Sequence, residues 1–404
     1  MSTQNPRILY LTNHYPHGPT YGGQIRALNI ARLLRQSGQL RVAVVANSDP
    51  DGESLARTRD EFDLAAAIRL RPQRISGTGQ RLRHELDPWY PNTHGWRLDA
   101  KDAAQVRQLV SEHDLVWVHG LFTANHAGIR QCPHALLDID DIFSRYYRSA
   151  LRHSKSPKER LRNARHYFLW KRRETVLFER FRALAVCSEP DRDYLGGGEN
   201  IHVIPNGYEP PRERADRRPA DPPRIGFIGT LNYPPNAEGI DWFISEVWPV
   251  VKKAVPAARL RLVGDASSSA STARGPDIDR LGFVEDAEAE MASWHMSIVP
   301  VRVGGGTRVK IAEAFSRRCP VVSTTWGAFG YELSPGKELL LADDPRQFGK
   351  ACISILNDPN LAEELAENAW EQYQRNWTWE AIRPRVDAAV ESCLRRNRDC
   401  LIPT

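Results

Sequence analysis

An α/β architecture built twice, each time around a parallel sheet, is what this sequence predicts, and three observations predict it. Apolar strand-like runs alternate with amphipathic helical stretches along the whole chain, which is the alternation of parallel α/β folds. The pattern breaks at EPPRERADRRPADPP (209–223), where prolines among charges cannot build a core, and then restarts. Finally, 404 residues exceed what one hydrophobic core ordinarily serves, which implies two domains of roughly 200 residues each.

In chain order, RILYLT reads as a strand, and IRALNIARLLRQSG as a helix stopped by Gly38. LRVAVVAN, DLVWVHG, ALLDID and ALAVCS read as further strands, followed by a short helical stretch and IHVIPNG. After the proline-rich break, RIGFIGT is a strand, AEGIDWFISEVWPVVKKA a helix, and ARLRLVG and MSIVPV strands. Helix KIAEAFSRR and strands CPVVST and ELLLA complete the second half. The chain thus divides into domains over 1–205 and 224–380, a linker over 206–223, and a C-terminal helix over 381–404. That helix carries Ile382, Val386, Ala389, Val390 and Leu394 on one face and is expected to cross back to the first domain. Two such halves place ligands at the carboxyl ends of their strands, in a cleft. The Ser-rich ASSSASTARGP (266–276) is a polar loop.

Charged residues at 26% and apolar residues at 41% describe a globular protein, neither disordered nor fibrous. The first apolar run, Ile8 to Leu11, is too short for a signal peptide or a membrane span, so a cytoplasmic location is expected. Six cysteines (132, 187, 319, 352, 393, 400) lack metal-ligand spacing and read as buried or idle thiols. The net charge of +5 is unevenly placed, because bases far outnumber acids between Arg145 and Arg182. That run is either a solvated helix face or a patch for anionic lipid headgroups. Nucleic acid is the weaker reading, with only Tyr146, Tyr147, Tyr167 and Trp170 placed for stacking.

Two glycine-bearing loops follow strands and precede helices: Gly22-Gly23 in the first half, Gly304-Gly305-Gly306 in the second. Free backbone N–H groups at a helix N-terminus favour an anion, although a tight turn alone also explains glycine pairs. Neither loop fits the phosphate loop of NTPases or the dinucleotide fingerprint. The second loop, VGGGTRVKIAEAF (303–315), adds the cations Arg308 and Lys310, with Glu313 about one turn on. Phosphate donors and a carboxylate for ribose hydroxyls within ten residues describe one nucleoside diphosphate. The alternative is that all three are surface charges.

These stretches resemble the retaining, GT-B-fold glycosyltransferases of family four, two Rossmann-like domains facing each other across a cleft. IGFIGTLNYPPNAEGIDWFISEVWPVV, RLVG, LGFVED and PVRVGGGTRVKIAEAFSRRCPVVST carry the resemblance in the second half. The Gly22-Gly23 loop with Arg26 and Asn29, VWVHG, LLDIDDIFSRYY, AVCSEPD and VIPNG carry it in the first. The branch it most resembles holds bacterial exopolysaccharide and exosortase-associated sugar transferases. The resemblance implies that Glu313, the second glutamate of the family's Glu-seven-residues-Glu motif, binds the donor ribose. The first glutamate would fall at Gly305, so the amides of Gly304 to Thr307 are expected to replace it. Relatives also place an Arg and a Lys after the first strand of the second domain, where GTLNYPPN has neither. Arg308 and Lys310 are therefore expected to take over the diphosphate. The donor site further includes Thr230, Gly22 and Gly23, with Phe283 and Val284 along the nucleobase. His119, ending VWVH, matches the histidine that reaches the transferred sugar. His14 and His17 are expected to be structural. Asp140 and Asp141 read as either acceptor-side or loop-capping residues.

The implied activity is transfer of a hexose from a UDP- or GDP-sugar to an acceptor hydroxyl with retained configuration. The donor acts as co-substrate, with no cofactor and no metal required. The acceptor is expected to be a saccharide or lipid-linked saccharide, with peripheral contact to an anionic membrane and no nucleic acid. A sugar-nucleotide epimerase of the same fold is the alternative enzyme. A catalytically silent nucleotide-sugar-binding subunit of a partner transferase is the alternative outside enzymes, and Gly305 is the feature that feeds it.

Overall fold

A computed structural model of the chain describes residues 5–17, 22–49, 51–73, 77–89, 95–211, 217–265 and 275–399. The chain forms two compact units, Met1–Pro205 with Arg383–Thr404, and Asn206–Ile382. The loop 18–21, the middle of the expected linker (212–216), most of the Ser-rich loop (266–274), Cys400 and the end of the last helix (400–404) lie outside the described residues.

Seven parallel strands make the sheet of the first unit: β1 (Arg7–Thr12), β2 (Gln39–Ala46), β3 (Asp63–Arg69), β4 (Leu115–His119), β5 (Cys132–Ile139), β6 (Phe181–Val186) and β7 (Ile201–Val203). Their order is β3-β2-β1-β4-β5-β6-β7. β1 is central, with Ile8 opposite both Leu40 and Leu115. Strands covered on both faces read as continuous apolar runs, and all five residues of β4, LVWVH, are buried. The sheet order reverses between β1 and β4, so their carboxyl ends form the switch point where α/β sheets bind ligands. A two-residue antiparallel ladder, Arg71–Pro72 with Trp96–Arg97, lies apart from the sheet.

The second unit repeats the plan with β8 (Arg224–Ile228), β9 (Arg259–Val263), β10 (Ile278–Gly282), β11 (Met296–Val299), β12 (Val321–Ser323) and β13 (Leu340–Leu341). The order is β10-β9-β8-β11-β12-β13, so β8 and β11 flank the switch point here. Gly226 is fixed by packing: a Cβ there would lie 2.0 Å from the Trp294 ring.

Three features differ from the sequence reading. The helix expected over AEGIDWFISEVWPVVKKA widens into a π-turn at Phe243–Val247, between Pro234–Trp242 and Trp248–Ala254. Pro249 lacks the N–H that a regular turn needs and crowds the carbonyl four residues back, which the wider turn relieves. The described parts of 206–223 are not a free linker. Tyr208 N–H donates to Trp377 O (2.9 Å), and the N–H groups of Arg218 and Ala220 donate to Ala292 O and Ser293 O. These hydrogen bonds anchor the segment to the second unit despite its prolines. Lastly, the terminal helix starts at Trp379 and not at 381. Its residues from Arg383 onward belong to the first unit, where Asp387 accepts from Ser37 Oγ at 2.7 Å.

Candidate functional site

In the second unit, β11 runs out through Pro300 into Gly304–Gly306, and the helix Val309–Ser316 starts behind Arg308. All three glycines are buried. Among the described residues, the backbone N–H groups of Gly305 to Lys310 have no protein acceptor. Six amides left open at a helix N-terminus suit an anion.

Arg308 is 8% exposed, and its Nη1 donates to Gly306 O at 2.5 Å. Its Nε and Nη2 are buried without acceptors. The guanidinium lies directly over Gly304, where a Cβ would sit 1.9 Å from Nη2, so only glycine leaves it room. Its backbone carbonyl is pinned by Tyr331 OH at 2.9 Å. Lys310 Nζ donates to Asn236 Oδ1 (2.7 Å) and lies 4.2 Å from the Phe227 ring centroid. Burial and the neighbouring Arg308 push this ammonium down to about 7. A Cβ on Gly229, just past β8, would stand 3.1 Å from the same Nζ. Lys310 thus delivers its charge to the β8 loop, which has no cation of its own.

The remaining donor-side residues of this unit fall around that loop. Thr230 is exposed and its carbonyl accepts from Asn236 Nδ2 at 2.8 Å. Thr307 Oγ1 accepts from Asn206 Nδ2 at 3.0 Å. Glu313 Oε1 accepts from Tyr208 OH (2.9 Å) and pairs with Arg317 (3.1 Å). Its Oε2 has no protein partner among the described residues. Phe283 follows Gly282 and is 81% exposed, whereas Val284 packs partly into the core. Asn236, Tyr208 and Arg317 were not singled out by sequence reasoning. Their places depend on how β8 and the VIPNG segment approach the helix.

In the first unit, a cavity of about 190 Å³ opens at the carboxyl ends of β1, β4 and β5. His119, Asp140 and Asp141 all line it. His119 is 2% exposed, with Nδ1 held 3.0 Å from Tyr10 OH. The N-cap residue of the helix Phe143–Arg152 is Ile142, which makes no side-chain cap bond. Glu174 does that work from another helix, accepting from Ser144 N (3.0 Å) and Ser144 Oγ, and burial raises its pKa. His14, expected to be structural, lines the same cavity, its ring 5.3 Å from that of His119 and edge-on to it. Burial and His119 lower its pKa to about 4. The signal for His14 was its place two residues beyond β1, the strand beside β4. Thr123 also lines the cavity, with a fully buried Oγ1 that has no hydrogen-bond partner. Gly22 and Gly23 do not precede the first helix; they form its first turn, Gly22–Ser37. His17, in contrast, pairs with Glu61 at 2.7 Å, as a structural residue would.

No group of three or more His, Cys, Asp or Glu side chains among the described residues could hold a metal ion. No helix among them is long and apolar enough to cross a membrane.

Residues 222–358 match the family model described as "Glycosyl transferases group 1". A Klebsiella pneumoniae protein, an "uncharacterized 44.6 kDa protein in cps region", is 28% identical over 161 residues. That match covers 37% of this chain and 42% of the Klebsiella protein, well under its full length. Sucrose-phosphate synthase from Thermosynechococcus elongatus has a similar structure, with a TM-score of 0.64 and 18% identity over 99% of this chain and 100% of that one. Anabaena HepE, solved in complex with UDP and glucose, has a TM-score of 0.59 and 15% identity over 96% and 99% of the two chains. The chain thus has the GT-B fold of these solved structures, and residues 222–358 of its second unit match the group 1 glycosyltransferase family.

Proposed function

We propose that the chain transfers a hexose from a nucleoside-diphosphate sugar, UDP- or GDP-linked, to a saccharide hydroxyl, retaining the anomeric configuration. The observation that carries this reading is the buried Arg308 with two donors lacking acceptors, beside six open backbone N–H groups. Such a set would hold the diphosphate of the donor. As the sugar–oxygen bond breaks, charge grows on that diphosphate, and preorganised donors stabilise it most in the transition state. Arg308, Lys310 and the dipole of the helix Val309–Ser316 supply them, in place of a metal ion. Glu313 would hold the ribose through Oε2, and Phe283 would lie on the nucleobase. His119 would hydrogen-bond the transferred sugar. In the first unit, Asp140 and Asp141 would meet the acceptor.

The acceptor is a lipid-linked saccharide of polysaccharide biosynthesis, met at the cytoplasmic face of a membrane. The cps-region relative and the basic run from Arg145 to Arg182 support this part. A thermal-shift series with UDP-, GDP-, ADP- and dTDP-sugars tests the donor, because only a bound ligand raises the melting temperature. A shift with a UDP- or GDP-sugar, lost in Lys310→Ala, is expected. No shift with any of the four would sink the reading. Release of labelled sugar then separates a transferase from a subunit that only binds.

A further inference from the structure

Soluble proteins seldom expose large apolar side chains in clusters. Seven are exposed among the described residues, and four of them fall on two helices of the first unit: Leu82, Leu86, Leu161 and Phe168. On Pro157–Glu174, Lys158, Leu161, Arg165, Phe168 and Arg172 are all exposed. Spaced three or four residues apart, they fall within about 80° of one another around the helix. The stripe therefore alternates cation, apolar, cation, apolar, cation. Leu161 is 74% exposed and Phe168 69%, while Asn163, Trp170 and Arg173 face inward. The helix Thr78–Leu86 adds Leu82 (54% exposed) and Leu86 (46%) one turn apart. An Arg165–Glu85 ion pair ties the two helices together.

We infer that this stripe, with Leu82 and Leu86 beside it, is a docking face for an anionic lipid bilayer, into which Leu161 and Phe168 insert. The inference deepens the membrane-acceptor reading above by naming the surface. Charge complementarity selects the occupant. Cations interleaved with apolar side chains along one face match phosphate headgroups over acyl chains, as in interfacial helices. A solvated basic face would carry the cations without Phe168. A buried protein interface would concentrate its apolar residues centrally and deplete lysine.

Co-sedimentation with phosphatidylglycerol vesicles, and with neutral phosphatidylcholine vesicles, tests it at about 50 mM and about 0.5 M salt. The intact chain should sediment with the anionic vesicles at low salt and stay in solution with the neutral ones. Leu161→Gln with Phe168→Gln should lower the partition coefficient at least tenfold. Lys158→Gln with Arg172→Gln should lower it about fivefold per cation and flatten the salt dependence. All four positions are exposed, so the variants should keep the melting temperature and the donor-induced shift of the intact chain. No low-salt binding by the intact chain, or unchanged binding by the Leu161/Phe168 variant, overturns the inference. So does a dimer in sedimentation velocity that this variant abolishes, since the face would then serve a second copy. Donor binding is read separately, so either proposal can fail without the other.

Discussion

At the scale of single residues, the decisive arrangement is a guanidinium that occupies the space a side chain at position 304 would need. Gly304 has a φ of +154°, which an L side chain rarely adopts, so Gly304→Ala should both strain this loop and force the arginine aside. The displaced Arg308 should cost donor affinity at least tenfold, about 1.4 kcal/mol, read by calorimetric titration on the folded variant. Lys310 makes the same site sensitive to pH. With its pKa pushed down to about 7, the amine is charged below that value before the diphosphate arrives. Above it, most of the free protein holds a neutral amine, and binding must bring a proton along. Donor affinity should therefore fall as pH rises past about 7, with net proton uptake detectable by titration in buffers of different ionisation enthalpy. A Lys310→Met variant should lose both the slope and the uptake. The Gly-Arg-Lys-Glu cluster was legible because its members are neighbours in sequence. His14, Thr123 and Tyr208 were not, since each reaches its place only through adjacency of strands or loops far apart in the chain.

Among the elements, β5 and the first helix are locked together by the Arg26–Asp138 pair. It is fully buried at 2.6 Å, with Trp117 Nε1 donating to the same carboxylate. Arg26 also binds the carbonyls of Ile204 and Pro205 at the end of the first unit. Asp138→Asn leaves that guanidinium uncompensated and should cost about 3–5 kcal/mol, visible as a lower denaturant midpoint. Strands buried on both faces, such as β1 and β4, announced themselves as apolar runs. β3 and β10 went unread because they are sheet edges. DLAAAIR is buried at only two positions and IDRLG at none, which leaves little hydrophobic contrast to detect. The π-turn was equally silent: Pro249 signals trouble for a regular helix but not the form of its relief.

On the scale of the whole chain, the doubled α/β plan was readable from alternation alone, because burial on both faces of a parallel sheet writes itself into composition. The proline-rich segment misled for a physical reason. Proline removes donors from the backbone but leaves carbonyls and neighbouring N–H groups free to tether the chain. The return of the last helix to the first unit makes a separate claim. Val386, Ala389, Val390 and Cys393 are each at most 3% exposed. Ending the chain after Ile382 removes all four. At about 0.8 kcal/mol per buried methylene, that should lower the melting temperature by roughly 5 °C or more, read by circular dichroism.

The depressed Lys310 has one more consequence, in covalent chemistry. An amine with a pKa of about 7 is half unprotonated at neutral pH, so it is a far better nucleophile there than an ordinary surface lysine. A phosphate-bearing aldehyde such as pyridoxal phosphate, followed by borohydride, should label Lys310 first. Peptide mass mapping with and without nucleotide sugar would then show which donor shields it, turning the lysine into its own occupancy probe.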